Sequence, residues 1–405
     1  MRVLQVYNRY RSGGSGETAV VNNTIRLLEK NGHEARLLER DSAEISSASD
    51  KLVSAITGVY SFSAERDMNS TVRDWRPDVV HVHNLYPLLT PSILRACTDH
   101  QIPVVMTVHN YGLTCPIQTH VRNGVTCTEC VDEGDHRCVV HNCRGNILES
   151  LAYAGRHGFE KALGLFRRNV TFFLPVSAFV DSTLREAKIP ASQTRIMPNG
   201  VTIPAECATP GEGQFALFVG RFIEEKGIMP LLEAAKSVPD IPFRFYGDGP
   251  LLKNMRHVAS PNVTIMPWVK PDELKSVYRL ARCVVVPSLW NDPCPMSAIE
   301  ALSYGLPVLA TRVGGLPTLI EHDVSGLLVS PGSALELSTG LTRLFGETGL
   351  AERLGRLARK SAELCFSEGV YYENLMRVYR EAVLRCAKHF TSPDVAYDST
   401  ATRNR

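Results

Sequence analysis

Short runs of β-branched and aliphatic residues alternate along the chain with longer stretches whose apolar residues recur every three or four positions. In the first half, 3–7, 35–39, 79–82, 104–108, 172–176 and 195–197 read as strands. Segment 17–31, with Val20, Ile25, Leu27 and Leu28 on one face, reads as a helix between the first two. The alternation pauses at Pro198-Asn199-Gly200-Val201 and a Pro/Gly/Thr-rich stretch over 204–213. It then restarts with strands at 216–219, 243–246, 263–266, 283–286 and 307–310 and helices at 228–237, 251–258, 272–280 and 295–303, followed by a helical region over 350–383. Strand-helix alternation of this kind predicts an α/β protein built from two doubly wound parallel sheets, with the ligand cleft between them. The expected division is a first domain over 1–200, a second over 201–385, and a polar, disordered tail over 386–405.

Composition narrows the function classes. With 44 Lys+Arg against 42 Asp+Glu the formal charge is +2, which gives no electrostatic reason to expect nucleic acid as the main partner. No stretch approaches the ~20 apolar residues of a membrane span; 170–180 comes nearest and is interrupted by Thr171, Pro175 and Ser177. The N-terminus reads as a buried strand rather than a signal peptide, so a cytoplasmic enzyme is expected.

Three segments carry candidate chemistry. Arg11-Ser12-Gly13-Gly14-Ser15-Gly16-Glu17 joins the first strand to the first helix, where glycines let backbone amides approach an anion at the positive end of a helix. Gly14, Gly16 and Ala19 also fit G-x-G-x-x-A, with Glu39 or Asp41 about twenty residues on, so a nicotinamide site, another phosphate or sugar site and a plain turn all stay open. In Gly220-Arg221-Phe222-Ile223-Glu224-Glu225-Lys226-Gly227, two cations follow the first strand of the second half, suited either to a diphosphate or to pairing with the neighbouring glutamates. In Pro287-Ser288-Leu289-Trp290-Asn291-Asp292-Pro293-Cys294-Pro295-Met296-Ser297-Ala298-Ile299-Glu300, a strand leads to a loop acid, then to a helix opened by proline. The Met296 and Ser297 amides would face a phosphate, and Glu300 follows Asp292 by eight positions.

Taken in order, these segments, together with Gly247-Asp248-Gly249-Pro250, Ala301-Leu302-Ser303-Tyr304-Gly305-Leu306-Pro307-Val308, Val313-Gly314-Gly315, Val79-Val80-His81-Val82-His83-Asn84 and Thr107-Val108-His109-Asn110, resemble the family 4 retaining glycosyltransferases (glycosyl transferases group 1) of the GT-B fold, over roughly residues 1–385. The resemblance implies transfer of a sugar from a nucleotide diphosphate-sugar donor to a glycan, lipid-linked or small-molecule acceptor, as in polysaccharide or glycoconjugate synthesis. It assigns the diphosphate to Arg221 and Lys226, the ribose to Glu300, donor-sugar hydroxyls to Asp292, and the vicinity of the anomeric carbon or donor C6 oxygen to His109. It brings Gly14, Ser15 and Gly16 over the donor from the opposite half, adds Gly249 to the donor site, and requires no cofactor for catalysis. Asp292 stands where the family usually has Glu, and Thr318 where Glu is common. Two competing readings remain: an NAD(P)-dependent oxidoreductase using Gly14 and Gly16, and a non-catalytic nucleotide-sugar-binding subunit.

Two features lie outside that pattern. Of 11 cysteines, Cys115, Cys127, Cys130, Cys138 and Cys143 crowd an insertion over 113–145. The Cys127-x2-Cys130 spacing suits a structural zinc completed by Cys115 and Cys138, with Cys143 as the alternative ligand; free or redox-sensitive thiols and simple packing are the other readings. Beyond it, Arg144, Arg156, Lys161, Arg167 and Arg168 flank Leu148, Leu151, Phe159, Leu163, Leu165 and Phe166. This reads either as a basic amphipathic helix at the inner face of the cell membrane, or as a helix packed on the sheet with its cationic stems along the surface.

Overall fold

A computed structural model describes residues 1–9, 16–44 and 60–391. Five parallel strands, β1 Arg2–Arg9, β2 Glu34–Asp41, β3 Val79–Val82, β4 Val104–Val108 and β7 Phe172–Pro175, form the first sheet in the order β2-β1-β3-β4-β7, while β5 Val121–Arg122 and β6 Val125–Thr126 pair as a short antiparallel hairpin within the cysteine-rich insertion. Six parallel strands form the second in the order β10-β9-β8-β11-β12-β13: β8 Phe215–Val219, β9 Phe243–Tyr246, β10 Val263–Met266, β11 Ala281–Val286, β12 Val308–Thr311 and β13 Gly326–Val329. Strand order reverses between β1 and β3 and again between β8 and β11. A crevice opens outside the carboxyl ends at such a reversal because the flanking connections leave on opposite faces. All three candidate segments leave from these ends.

Apart from the edge strands β2 and β10, the strands bury both faces, and their alternation sorts the core. Val3, Val79 and Val105 pack on one side of the first sheet; Leu4, Val6, Val80, Val82, Val104 and Met106 pack on the other. The first of these layers is closed by the last helix, Glu368–Thr391, through Tyr371, Leu375, Met376, Tyr379 and Ala382. The chain therefore returns from the second sheet to cover the first.

Three expectations change. The helical region over 350–383 is two helices, Leu350–Cys365 and Glu368–Thr391, separated at Phe366-Ser367 where the chain crosses back. Helix persists through Thr391, so the tail expected from 386 begins no earlier than 392; 392–405 lie outside the described residues. Segment 195–197 is not a strand. Its Arg195 and Met197 amides donate to Phe173 and Pro175 at 2.9 Å each, but Pro175 has no N–H to return, so no ladder builds. Strand β13 and the helix Ala334–Gly346 were not read from the sequence.

The two crossings lie side by side. Val201 N–H donates to Phe366 O at 2.8 Å, and Glu368 N–H donates to Val201 O at 3.2 Å. Gly200 sits against Tyr371 so closely that a Cβ there would lie 2.7 Å from the tyrosine Cβ.

Candidate functional site

The first sheet contributes a chain of imidazoles, buried at His81 and His83 and half-buried at His109. His109 follows β4, and its Nε2 lies 3.0 Å from His83 Nδ1, with the rings stacked at 5.3 Å. His83 Nε2 lies 2.8 Å from Gln5 Oε1 on β1. Behind them, His81 is held by Tyr379 Oη at 2.6 Å and Thr107 Oγ1 at 2.8 Å, and Gln5 Nε2 donates to the same Tyr379 oxygen at 3.3 Å. Burial holds His109 and His81 down to about 3 and His83 well below its ordinary value, with the neighbouring imidazoles adding to the effect on His81 and His83. Neutral rings have one donor and one acceptor each. Gln5 Oε1 accepts only, so His83 keeps its proton on Nε2 and accepts at Nδ1 from His109 Nε2–H. His109 Nδ1 is left as an acceptor.

Gly16 opens the helix Gly16–Lys30, and a Cβ on it would meet Met296 Cγ at 3.4 Å, so this helix begins against the helix Met296–Ser303 of the second sheet. Both helices present N-terminal amides to the cleft, and the second has no side-chain cap over its Met296 and Ser297 end. Gly14 and Ser15 lie outside the described residues. Glu17, in the first turn, was not singled out from the sequence. Asn110 Nδ2 donates to its Oε1 at 3.4 Å, while Oε2 is buried with no partner among the described residues. Burial, opposed by the Asn110 hydrogen bond, raises its carboxyl to about 7.

On the second sheet, Arg221 is exposed on the loop after β8. Lys226 Nζ donates to Asp292 Oδ2 at 2.5 Å, so two residues expected to serve different parts of a donor are paired to each other. Glycine is required around them: Gly227 has φ +68°, and a Cβ would lie 1.8 Å from Pro287 O; Gly249 has φ +154°, and a Cβ would lie 2.5 Å from Phe222 O. The Asp292 loop is backed by the Val313-Gly314-Gly315 turn, where Gly314 N–H donates to Asn291 Oδ1 at 3.1 Å and Gly315 N–H to Asp292 O at 2.8 Å. Thr318 is exposed, its hydroxyl donating back to Gly315 O at 2.6 Å.

Glu300 projects from the helix Met296–Ser303 and accepts from Tyr278 Oη at 2.7 Å; burial raises its carboxyl. Tyr278 stacks on Tyr304 at 5.0 Å. A second tyrosine ties the halves: Tyr111 Oη donates to Asn291 O at 2.5 Å, and its ring meets Trp290 and Phe179 edge-on. Neither tyrosine carries a sequence signal, because each partner is distant in the chain.

The five cysteines of the insertion are free thiols. Cys130 and Cys138 are buried with Ala154 and pack on Ile117, Val139 and Cys143. Burial, reinforced by neighbouring thiols, pushes Cys130 and Cys138 up to about 12. Among the described residues no three His, Cys, Asp or Glu side chains are placed to hold a metal ion. A zinc held by Cys115, Cys127, Cys130 and Cys138, or with Cys143 as the alternative ligand, rests on the sequence spacing alone. Apolar packing and ion pairs order the insertion. Glu129 is held by Arg122 at 3.0 Å, Arg137 Nε at 2.7 Å and His141 at 2.7 Å.

The geometry agrees with what the chain resembles. Residues 14–203 match the family model Glycosyltransferase Family 4, and residues 202–361 match Glycosyl transferases group 1. Spore coat protein SA of Bacillus subtilis (strain 168) is 28% identical over 184 residues, covering 42% of this chain and 49% of that protein, so the match spans about half of the relative's length. An uncharacterized glycosyltransferase of Methanocaldococcus jannaschii, MJ1178, is 28% identical over 250 residues, covering 61% and 68%. Anabaena Alr3699/HepE, solved in complex with UDP-glucose, superposes with a TM-score of 0.66 at 15% identity, covering 94% of this chain and 100% of that one. Two reversed parallel sheets whose loops face one cleft, carrying both family models in tandem, mean that the chain belongs to glycosyltransferase family 4 and is a glycosyltransferase of the GT-B fold.

Proposed function

We propose that the protein transfers a sugar, with retention of anomeric configuration, from a nucleotide diphosphate-sugar held mainly by the second sheet to a glycan, lipid-linked or small-molecule acceptor at the first. What supports this reading is that Arg221 and Lys226 follow β8, and the uncapped Met296–Ser303 helix carrying Glu300 follows β11, the two strands at which the order of the second sheet reverses. The diphosphate sits between the two cations and the Met296 and Ser297 amides, and the facing helix start at Gly16 covers it from the other side. Gly249, which tolerates no Cβ, lets backbone approach the donor. Glu300, oriented by Tyr278, accepts from the ribose hydroxyls.

Binding of the diphosphate draws Lys226 away from Asp292, which frees that carboxylate for donor-sugar hydroxyls. His109 Nδ1 accepts from a hydroxyl of the same sugar. As the glycosidic C–O bond breaks, charge collects on the departing phosphate oxygen, where Arg221, Lys226 and the helix amides stabilise it. That oxygen then takes the proton of the acceptor hydroxyl attacking from the same face. These groups supply the electrostatic stabilisation without a cofactor. HepE was solved with UDP-glucose, which supports a nucleotide-sugar of this class as donor.

The test is a transfer and donor-hydrolysis assay over UDP-, GDP- and ADP-sugars, with the product anomer read by NMR. We expect turnover of one donor class with retained configuration, lost by at least about 100-fold in Asp292→Ala or Glu300→Ala. Full activity in both variants overturns the placement of the site. An inverted product overturns the mechanism.

A further inference from the structure

The helix Ile147–Leu163 follows the cysteine-rich insertion and is built inside out. Its inward face carries Ser150, His157 and Glu160. Glu160 accepts from the Tyr86 hydroxyl and lies 3.4 Å from Arg156, whose guanidinium stacks over the Tyr86 ring at 4.0 Å. His157 Nδ1 lies 2.9 Å from Asp135. The outward face is apolar along its whole length: Ile147 is 54% exposed, Leu148 73%, Leu151 57%, Phe159 43% and Leu163 44%. Ala152, Gly155 and Ala162 fill the positions between them. Polar groups here have bought no water, since the residues that would ordinarily be inside are outside.

The surrounding charge selects the occupant. Over 144–168 the Arg156–Glu160 pair is internal, leaving exposed Arg144, Lys161, Arg167 and Arg168 against exposed Glu149. Four cations against one carboxylate make +3 in a short segment of a chain whose total is +2. Glu149 is itself paired with Arg144 at 3.4 Å, and Lys161 lies 3.3 Å from Asp135. A second copy would bring a like-charged rim against this one, whereas an anionic surface with an apolar interior complements both the rim and the stripe. Among the described residues no helix is long and apolar enough to cross a membrane, and a 17-residue helix of this pattern is suited to lying in the interface.

We propose that the outward face of Ile147–Leu163 seats on an anionic lipid bilayer, with the five large apolar side chains entering the acyl boundary and Arg144, Arg167 and Arg168 meeting lipid phosphates. Because the inward face of the helix holds Tyr86, and Tyr86 lines a small pocket with His83, His109, Asn110, Gln118 and Phe166, this seat brings the acceptor side of the cleft to the membrane surface. The choice of a lipid-linked acceptor over the other acceptor classes rests on the glycosyltransferase reading; the lipid seat itself does not.

Vesicle flotation of the full chain tests it, using phosphatidylcholine vesicles and vesicles of equal phosphatidylcholine and phosphatidylglycerol. The wild type is expected to float with the anionic vesicles and to remain at the bottom with the neutral ones. The Leu148→Ser/Leu151→Ser/Phe159→Ser variant, altered only at exposed positions, is expected to lose at least about tenfold in bound fraction while keeping its circular dichroism and its heat of nucleotide-sugar binding. Arg167→Gln/Arg168→Gln is expected to weaken flotation and its salt dependence. Failure of the wild type to float overturns the proposal, whether the face is covered by a second copy, seen as a dimer in analytical ultracentrifugation, or by another part of this chain. Unchanged flotation of the triple variant overturns it equally. Flotation without any donor turnover would instead leave the seat standing and refute the transferase chemistry.

Discussion

At His109 the sequence showed a histidine after a strand, but not what sets its proton. That depends on Gln5, an inward polar residue in an apolar strand, and on His83, two positions beyond His81 in Val79-Val80-His81-Val82-His83. Replacing Gln5 by Glu puts a carboxylate against His83 Nε2 and favours the doubly protonated imidazole, whose Nδ1–H then donates to His109 and reverses its tautomer. The expected result is a fall of about 10²-fold in kcat with nucleotide affinity unchanged, and imidazole nitrogen shifts in NMR that report the reversal. A loss of affinity with no tautomer change would show the network to be structural only. Glu17 gives a second test. Its folded carboxyl keeps a proton up to about 7 against an ordinary value of 4.5, so the folded state binds more protons in that window and its contribution to stability falls as pH rises through it. Glu17→Gln should therefore raise Tm at pH 8 and leave it nearly unchanged at pH 4.5. Equal shifts at both pH values would contradict the burial of this carboxyl.

At the scale of elements, strands of the second sheet were readable because apolar runs stand between glycine, proline and polar breaks. Strand β13 was not, since Gly326-Leu327-Leu328-Val329 is a four-residue run with a glycine at its start. The cysteine spacing shows that thiols gather, as Cys130, Cys138 and Cys143 do, but not that Ile117, Val139 and Ala154 gather with them. The reversed helix Ile147–Leu163 left both of its readings open, because periodicity shows which residues share a face and not which way the face points. Tyr111 lay beyond sequence reasoning because its partner Asn291 is 180 positions away. Tyr111→Phe removes that hydrogen bond and leaves the Asn291 carbonyl short of a donor, at an expected cost of about 1–2 kcal/mol. Chemical denaturation should show this as a lower midpoint, and an unchanged midpoint would mean the contact contributes nothing to the closed arrangement.

For the whole molecule, the near-neutral composition conceals an uneven arrangement: cations stand at the β8/β11 reversal and along 144–168, and two helix N-termini meet across the cleft. The halves are joined by two crossings hydrogen-bonded to each other at Val201, Phe366 and Glu368, an arrangement suited to a hinge. Gly200→Val would force the linker off Tyr371, and is expected to destabilise by about 1–3 kcal/mol and to slow turnover more than it weakens donor binding. The central claim is that the second sheet's reversal holds a nucleotide diphosphate-sugar. Calorimetric titration of UDP-, GDP- and ADP-sugars and NAD(P)H, into the wild type and an Arg221→Ala/Lys226→Ala variant, tests it most directly. The account predicts that one nucleotide-sugar class binds the wild type and loses at least about tenfold in affinity in the variant. Binding of NAD(P)H alone, or nucleotide-sugar binding that is indifferent to both cations, would contradict it.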